Sequence, residues 1–314
     1  MTQPANTFDT YDAVGNREDL SDIITMISPT DTPFMSGIAR RPVTATQADW
    51  QTEALDAASS ANAVIEGDDA TTTATAPTTR LFNHTQISDK VPRVTGTQRK
   101  VNSAGRSDEM AHQIMLKASA LKTDVETQML SNTAKAAGNS TTARISAGIG
   151  SWIATNDDLG GSGVSPAGDG SDIRTNGTQR AFAEADLKSV LAACYDSGGN
   201  PDTIMVGAFN KQAASAFTGN ATRNVNAGDK ILQTAIDVYV GDFGDLVIVP
   251  NRFMRSRDCL VLEMDKWQMG ILRDFESEPL AKTGDTDREQ LLVEYTLISL
   301  NEEASGGVFD LTTA

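Results

Sequence analysis

Apolar residues recur every three or four positions along the stretch 105–136, at Met110, Ile114, Ala118, Leu121, Val125 and Met129. That spacing puts them on one stripe of a helix. Neither proline nor glycine interrupts the run between Gly105 and Gly138. Ser107 reads as the N-cap, and Asp108 and Glu109 after it suit the positive end of the helix dipole. Roughly 30 residues predict a rod of about 45 Å, well beyond the mean helix of about 11 residues. Such a rod is either an amphipathic helix on an ordinary core or a strut spanning a flat subunit.

The flanking patterns differ. Ahead of the helix, Arg17 to Ile24 gives two helical turns that Ser28-Pro29 ends. The proline-bracketed segment Ser28 to Phe34 is extended, and its anchors Ile27, Phe34 and Met35 need a surface to cover them. Two readings stay open: an arm laid over another surface, or a strap on its own domain. From Arg40 to Val101, an extended opening around Trp50-Gln51-Thr52-Glu53 and an extended return from Arg80 enclose Ala54–Thr79, almost wholly Ala, Ser, Thr, Asp and Asn. Two limbs with a tip that has no core of its own predict a projecting hairpin, with a disordered linker as the competing reading. In the return limb Ile87, Asp89, Val91, Arg93 and Val94 alternate, and Pro92 favours an edge or bulge.

Behind the helix, Ile145–Ile153 is short and apolar, and Asp157–Gly177 is a Gly/Ser/Asp loop. A small module follows. Leu187, Val190, Leu191 and Cys194 stripe a helix over Glu184–Ser197 that ends at Gly198-Gly199. Thr203–Val206 is a strand, and the next helix carries Ala213, Ala214 and Phe217. Ile236–Val240, Leu246–Val249 and Leu260–Met264 are further strands, the first two joined around Asp242-Phe243-Gly244 with Phe243 in the core. Trp267–Leu272 then leads into a charged excursion, Arg273–Arg288, before the extended run Gln290–Leu300. That last sheet is expected to pack under the long helix, and the whole chain is α+β.

Composition adds exclusions. With 314 residues the chain exceeds what one core serves, and aromatics are only 5%. Against 42 Asp and Glu stand 26 Lys and Arg, a net charge of −16, which argues against gripping nucleic acid by its phosphates. Cys194 and Cys259 lie apart in apolar segments and read as small buried hydrophobes. No stretch approaches the roughly 18 apolar residues of a membrane span, and the first thirty residues lack a signal-peptide core.

The search for chemistry returns no catalytic constellation and no cofactor or metal site. His84 and His112 lack spaced metal-ligand partners. Gly163–Gly168 has the spacing of a phosphate loop, but Asp169 stands where a lysine must neutralise the phosphate. The Asp242-Phe243-Gly244 tripeptide of kinases appears without its companion segments. The paired acids Asp68-Asp69 and Asp157-Asp158 lack the ligand series of a calcium loop.

Taken in order, the landmarks Asn16–Leu20, Ser28–Pro33, Trp50-Gln51-Thr52, Glu66–Ala70, Asp242-Phe243-Gly244, Pro250-Asn251-Arg252 and Ala281–Asp285 span most of the chain. In this order the sequence resembles the major capsid (major head) proteins of tailed bacteriophages. The resemblance implies the α+β Hong Kong 97-like capsid fold. It would place an N-terminal arm at 1–39, an extended β-hairpin loop at 40–101, and a peripheral domain with the long spine helix and Gly-rich loop at 102–180. An axial domain at 181–263 and returning peripheral strands at 264–314 would follow. It further implies a homo-oligomer of hexamers and pentamers enclosing double-stranded DNA in the virion, assembled in the host cytoplasm and touching DNA non-specifically, with no membrane. Scaffolding, portal and decoration proteins are its candidate partners. Inter-subunit contacts are expected from Arg17, Glu18 and Asp19 in the arm, Phe34 at its apolar end, Trp50 at the hairpin base, and Arg273, Lys282, Asp285 and Arg288 in the charged excursion. The rival readings are another assembling virion component, a tail-tube or adaptor protein, and a soluble α+β enzyme.

Overall fold

The computed structural model describes residues 28–70, 72, 74–101, 107–217 and 238–313. Among the described residues the first element is a short helix α1 (Pro33–Gly37), followed by strands β1 (Ala39–Pro42) and β2 (Gln47–Thr52). After a long unpaired excursion come β3 (Thr79–His84), β4 (Gln86–Lys90), β5 (Arg93–Thr95), the short helix α2 (Gly96–Lys100) and the long helix α3 (Glu109–Met129). The second half runs β6 (Asp157–Asp158), α4 (Glu184–Asp196), β7 (Thr203–Val206), α5 (Ala208–Ser215), β8 (Val238–Gly241) and β9 (Gly244–Pro250). It ends with β10 (Cys259–Leu262), β11 (Trp267–Leu280), β12 (Thr286–Ser299) and β13 (Gly306–Val308).

Helix α3 has 21 residues, about 31 Å, so the expected 30-residue rod is cut short. Its N-cap is Asp108 rather than Ser107, since the Asp108 carboxylate accepts the Met110 amide at 2.9 Å. At the other end the helix stops for a tertiary reason. Past Leu130 the chain extends and docks on 145–150: Gly148 donates to the Thr133 carbonyl at 2.9 Å and Gly150 to that of Ser131 at 3.1 Å. Ala136 bridges Ile145, and Gly138 sits not at a helix end but in the connecting turn at φ 64°.

The buried face of α3, including Leu121, Val125 and Met129, packs on a sheet in the order β1-β11-β12-β4, with β5 also paired to β12. β11 and β12 are each 14 residues long and pair from Trp267↔Ser299 out to Leu280↔Arg288. The charged excursion is therefore mostly strand. Its outer half is exposed, so its polarity reports the absence of cover rather than the absence of a strand. Val91-Pro92 separates β4 from β5, a break where proline can give no ladder donor.

A second sheet runs β6-β13-β10-β7-β9-β8. On one face Ile204, Val206, Cys259 and Val261 join the α4 stripe Leu187, Val190, Leu191 and Cys194 in a second core. The intervening residues Met205, Leu260 and Leu262 point into the first core. Strand alternation thus lets β7 and β10 serve both cores at once.

Candidate assembly surfaces

Three parts of the molecule bear on how copies meet: the root of the N-terminal segment, the projecting hairpin and the outer end of β11 and β12. Arg17, Glu18 and Asp19 lie outside the described residues. At the root, Phe34 is 0% exposed and Met35 and Ile38 are buried with it in the first core. For Phe34 and Met35 the strap reading therefore holds, while Ser28–Asp31 are exposed. Phe34 is spent inside its own chain, so the expectation that it docks on a neighbour is corrected. Its amide donates to Glu126 Oε1 at 2.8 Å, and the Met35 amide to Oε2 at 2.7 Å. Asn251 Nδ2 adds a third bond to Oε1 at 2.7 Å. Glu126 is a fully buried carboxylate on α3. Burial pushes its carboxyl above the ordinary range, while the Met35, Phe34 and Asn251 donors pull the other way.

In the hairpin, β2 and β3 pair antiparallel from Gln47↔His84 to Thr52↔Thr79. Trp50 is buried against Trp152, with ring centroids 5.4 Å apart. Asn83, fully buried, donates to the Leu297 carbonyl at 2.7 Å and accepts the Ala147 amide at 2.9 Å, tying the ribbon to the body. Lys135 Nζ lies 3.8 Å from the Phe82 ring centre. Beyond this base, 53–78 forms no strand or helix among its described residues. Leu55, Val64 and Ile65 stand there 98%, 86% and 77% exposed. Apolar side chains left that bare in one subunit are what a neighbour would cover.

At the outer end of the long strands, the polar residues expected to reach neighbours have partners in their own chain. Arg273 and Arg144 both pair with Glu294, at 2.9 and 2.6 Å. Burial opposes charge on Glu294, but the Thr85 hydroxyl, Arg273 and Arg144 outweigh it and hold the carboxyl below its usual range. Lys282 and Arg99 clamp Asp287 at 2.5 and 2.6 Å. Those two cations lower its carboxyl. The carbonyl of Asp285 accepts the Gly96 amide, and Arg288 donates to the Ala281 carbonyl at 2.7 Å. Arg99, Met110, Ile114, Leu280 and Lys282 line a groove of about 320 Å³ between this end and the start of α3.

Phe243 corrects another expectation. It is exposed at the β8–β9 turn, stacked on exposed Tyr195 with centroids 4.8 Å apart, and is not a core residue. Asp169 caps the Ser171 amide, and its carbonyl receives Lys135 Nζ, so both serve the loop's own structure. Among the described residues no group of three His, Cys, Asp or Glu is placed to hold a metal ion. No helix among them is long and apolar enough to cross a membrane.

A family model described as SU10 major capsid protein matches residues 3–312. The chain belongs to the SU10 major capsid protein family. The curated major capsid protein of Escherichia phage Phieco32 is 27% identical over 341 residues, covering 96% of both proteins. Among solved structures, a chain of Gordonia phage Cozz aligns with TM-score 0.63 at 12% identity, over 99% of this chain and 98% of that one. A chain from a structure of phage G gp27 major capsid proteins and gp26 decoration proteins gives TM-score 0.55 at 10% identity, over 99% and 100%. The shared architecture is the Hong Kong 97-like fold. This SU10-family chain is thus a major capsid protein of a tailed phage, a structural protein of the virion.

Sequence reasoning missed Glu126. The available signal was an acid directly beside Val125 of the apolar stripe, but its partners lie 92, 91 and 125 residues away.

Proposed function

We propose that this capsid protein self-assembles through hexamers and pentamers into a closed head shell around the double-stranded DNA genome, in the cytoplasm of the bacterial host. The supporting observation is the bare hairpin tip, whose apolar residues find no cover in their own subunit. On this reading the loop at 40–101 reaches over a neighbour, α3 is the spine of a peripheral domain, and the second core at 181–263 is the axial domain. Of the strands in 264–314, β11 and β12 return to the peripheral sheet, whereas β13 pairs with β10 and Val308 and Leu311 belong to the second core. Residues 1–32 act as an arm continuing from the buried root. Arg273, Lys282, Asp285 and Arg288 keep their internal bonds and offer their remaining donor and acceptor capacity to a neighbour. Trp50 serves assembly indirectly, by fixing the hairpin base. Modest contacts become a stable shell by repetition around closed symmetry. A net charge of −16 suits a wall that packaged DNA should not stick to. The chain works without catalysis or cofactor, and scaffolding, portal and decoration proteins are its proposed further partners.

Purified chain, alone or with a scaffolding protein, is expected to form closed shells visible by negative-stain electron microscopy and light scattering. Before assembly, protease should cut first within 53–78. A compact monomer that resists cleavage there and never assembles would overturn the reading.

A further inference from the structure

We propose that Glu126 is the positioning residue that aims the N-terminal arm, and that it does so only once the two cores have closed on each other. The inference rests on the assembly reading and adds to it a named control point.

Helix α1 has five residues and so cannot persist as a helix by itself. Pro33 occupies its first turn and brings no N–H, and the Thr32 side chain makes no capping bond. Phe34 and Met35 therefore hold the first amides that need an acceptor. Glu126 supplies both acceptors from the middle of the structure, acting as a remote cap. Directly after α1, β1 enters the sheet parallel to β11 from Ala39↔Gln268. The two amide bonds thus set the angle at which residues 28–32 join α1.

The third donor brings in the second core. Asn251 follows β9; its amide donates to the Val206 carbonyl of β7 at 2.9 Å, and its Oδ1 accepts the Phe253 amide at 2.8 Å. Its Nδ2 is thereby pointed at Glu126 by the end of the second sheet. An apolar residue at 126 could fill the same space around Phe34 but would leave the Phe34 and Met35 amides without an acceptor and Asn251 Nδ2 with only the Met205 sulfur. A buried carboxylate is costly unless well bonded, and its reward is geometric specificity. Removing Asn251 strips one of the three bonds that hold the Glu126 side chain in place, so the arm root should register a change in a residue that does not bond it.

The test uses the full chain with Glu126→Gln and Asn251→Ala. Hydrogen exchange of the peptide spanning 28–38 in unassembled subunits reads the arm root, and the peptide spanning 291–299 reads the first sheet. Glu126→Gln and Asn251→Ala are each expected to speed exchange in 28–38 at least tenfold, leave 291–299 unchanged and cut shell yield. Unchanged exchange at 28–38 in Asn251→Ala would overturn the proposal, as would wild-type shell yield from a Glu126→Gln chain with a loosened root. If the wild-type chain forms no shells, the assembly reading falls, while the exchange rates still decide whether Glu126 and Asn251 hold the root.

Discussion

Asp258 is 4% exposed and pairs with Arg255 at 3.2 Å. Burial pushes its carboxyl up to about 6, against the pull of Arg255, Arg174 and Arg257. Nearby Arg174 is 1% exposed, its guanidinium lies 3.1 Å from the Phe309 ring centre, and burial brings it down to about 10. The native state holds the Asp258 proton at a pH where an unfolded aspartate, near 3.8, has released it. Stability from this group is therefore present at low pH and lost as pH rises through about 6. The gap between about 6 and 3.8 corresponds to roughly 3 kcal/mol. Asp258→Asn should remove this component: its stability relative to wild type, measured by chemical unfolding, should rise by about that amount between roughly pH 4 and 7 and then level off. Glu294 and Asp287 act oppositely, since their lowered carboxyls contribute stability that is lost as pH falls below the ordinary carboxylate range. Phe34→Ala, which empties a site with no exposure, is expected to cost about 3–5 kcal/mol, read as a lowered thermal midpoint. At this scale Leu187, Val190, Leu191 and Cys194 were legible, because their partners share a local period. Phe243 was not, because nothing local says that a turn aromatic meets Tyr195 rather than the core.

Among the elements, α4 and β7 match their sequence patterns closely, while α3 and the β11–β12 hairpin do not. Propensity would carry α3 on to Ala136. Instead Ser131 and Asn132 turn into extended backbone because the 145–150 segment supplies donors for the carbonyls of this stretch and a fitting surface. Gly148 makes that approach possible, since a Cβ there would meet the Ser131 carbonyl and, at 2.9 Å, that of Gln128. Gly148→Ala should therefore cost about 1–3 kcal/mol, seen as a lower thermal midpoint. It should also speed exchange specifically in the last turn of α3 and in 131–136. A glycine whose backbone were not packed so closely would accept alanine at little cost. The outer half of β11 escaped sequence reading for a simpler reason: with most of its side chains exposed, a strand shows no alternation of apolar and polar positions.

In the whole molecule, two cores share the sheet formed around β7 and β10, and the described residues of the hairpin tip at 53–78 stand outside both. Replacing 55–76 with a short Gly-Ser linker should leave the thermal midpoint within a few degrees, because loop closure depends weakly on length. The same change should abolish shells in electron microscopy. Loss of folding on this deletion would mean that the tip serves its own subunit. The amino-acid sequence determined the order of the elements, the small-residue tip between two extended limbs, the stripe on α3 and the resemblance to tailed-phage capsid proteins. These are written in local periodicity and in the order of short motifs, which one chain displays without folding. Only the tertiary structure decided where α3 ends, which charges pair, that Phe34 belongs to its own subunit, and that Glu126 joins the arm root to both cores. Those outcomes depend on partners that no local pattern specifies, since a buried carboxylate or a docked backbone is stable only when segments distant in sequence deliver its hydrogen bonds.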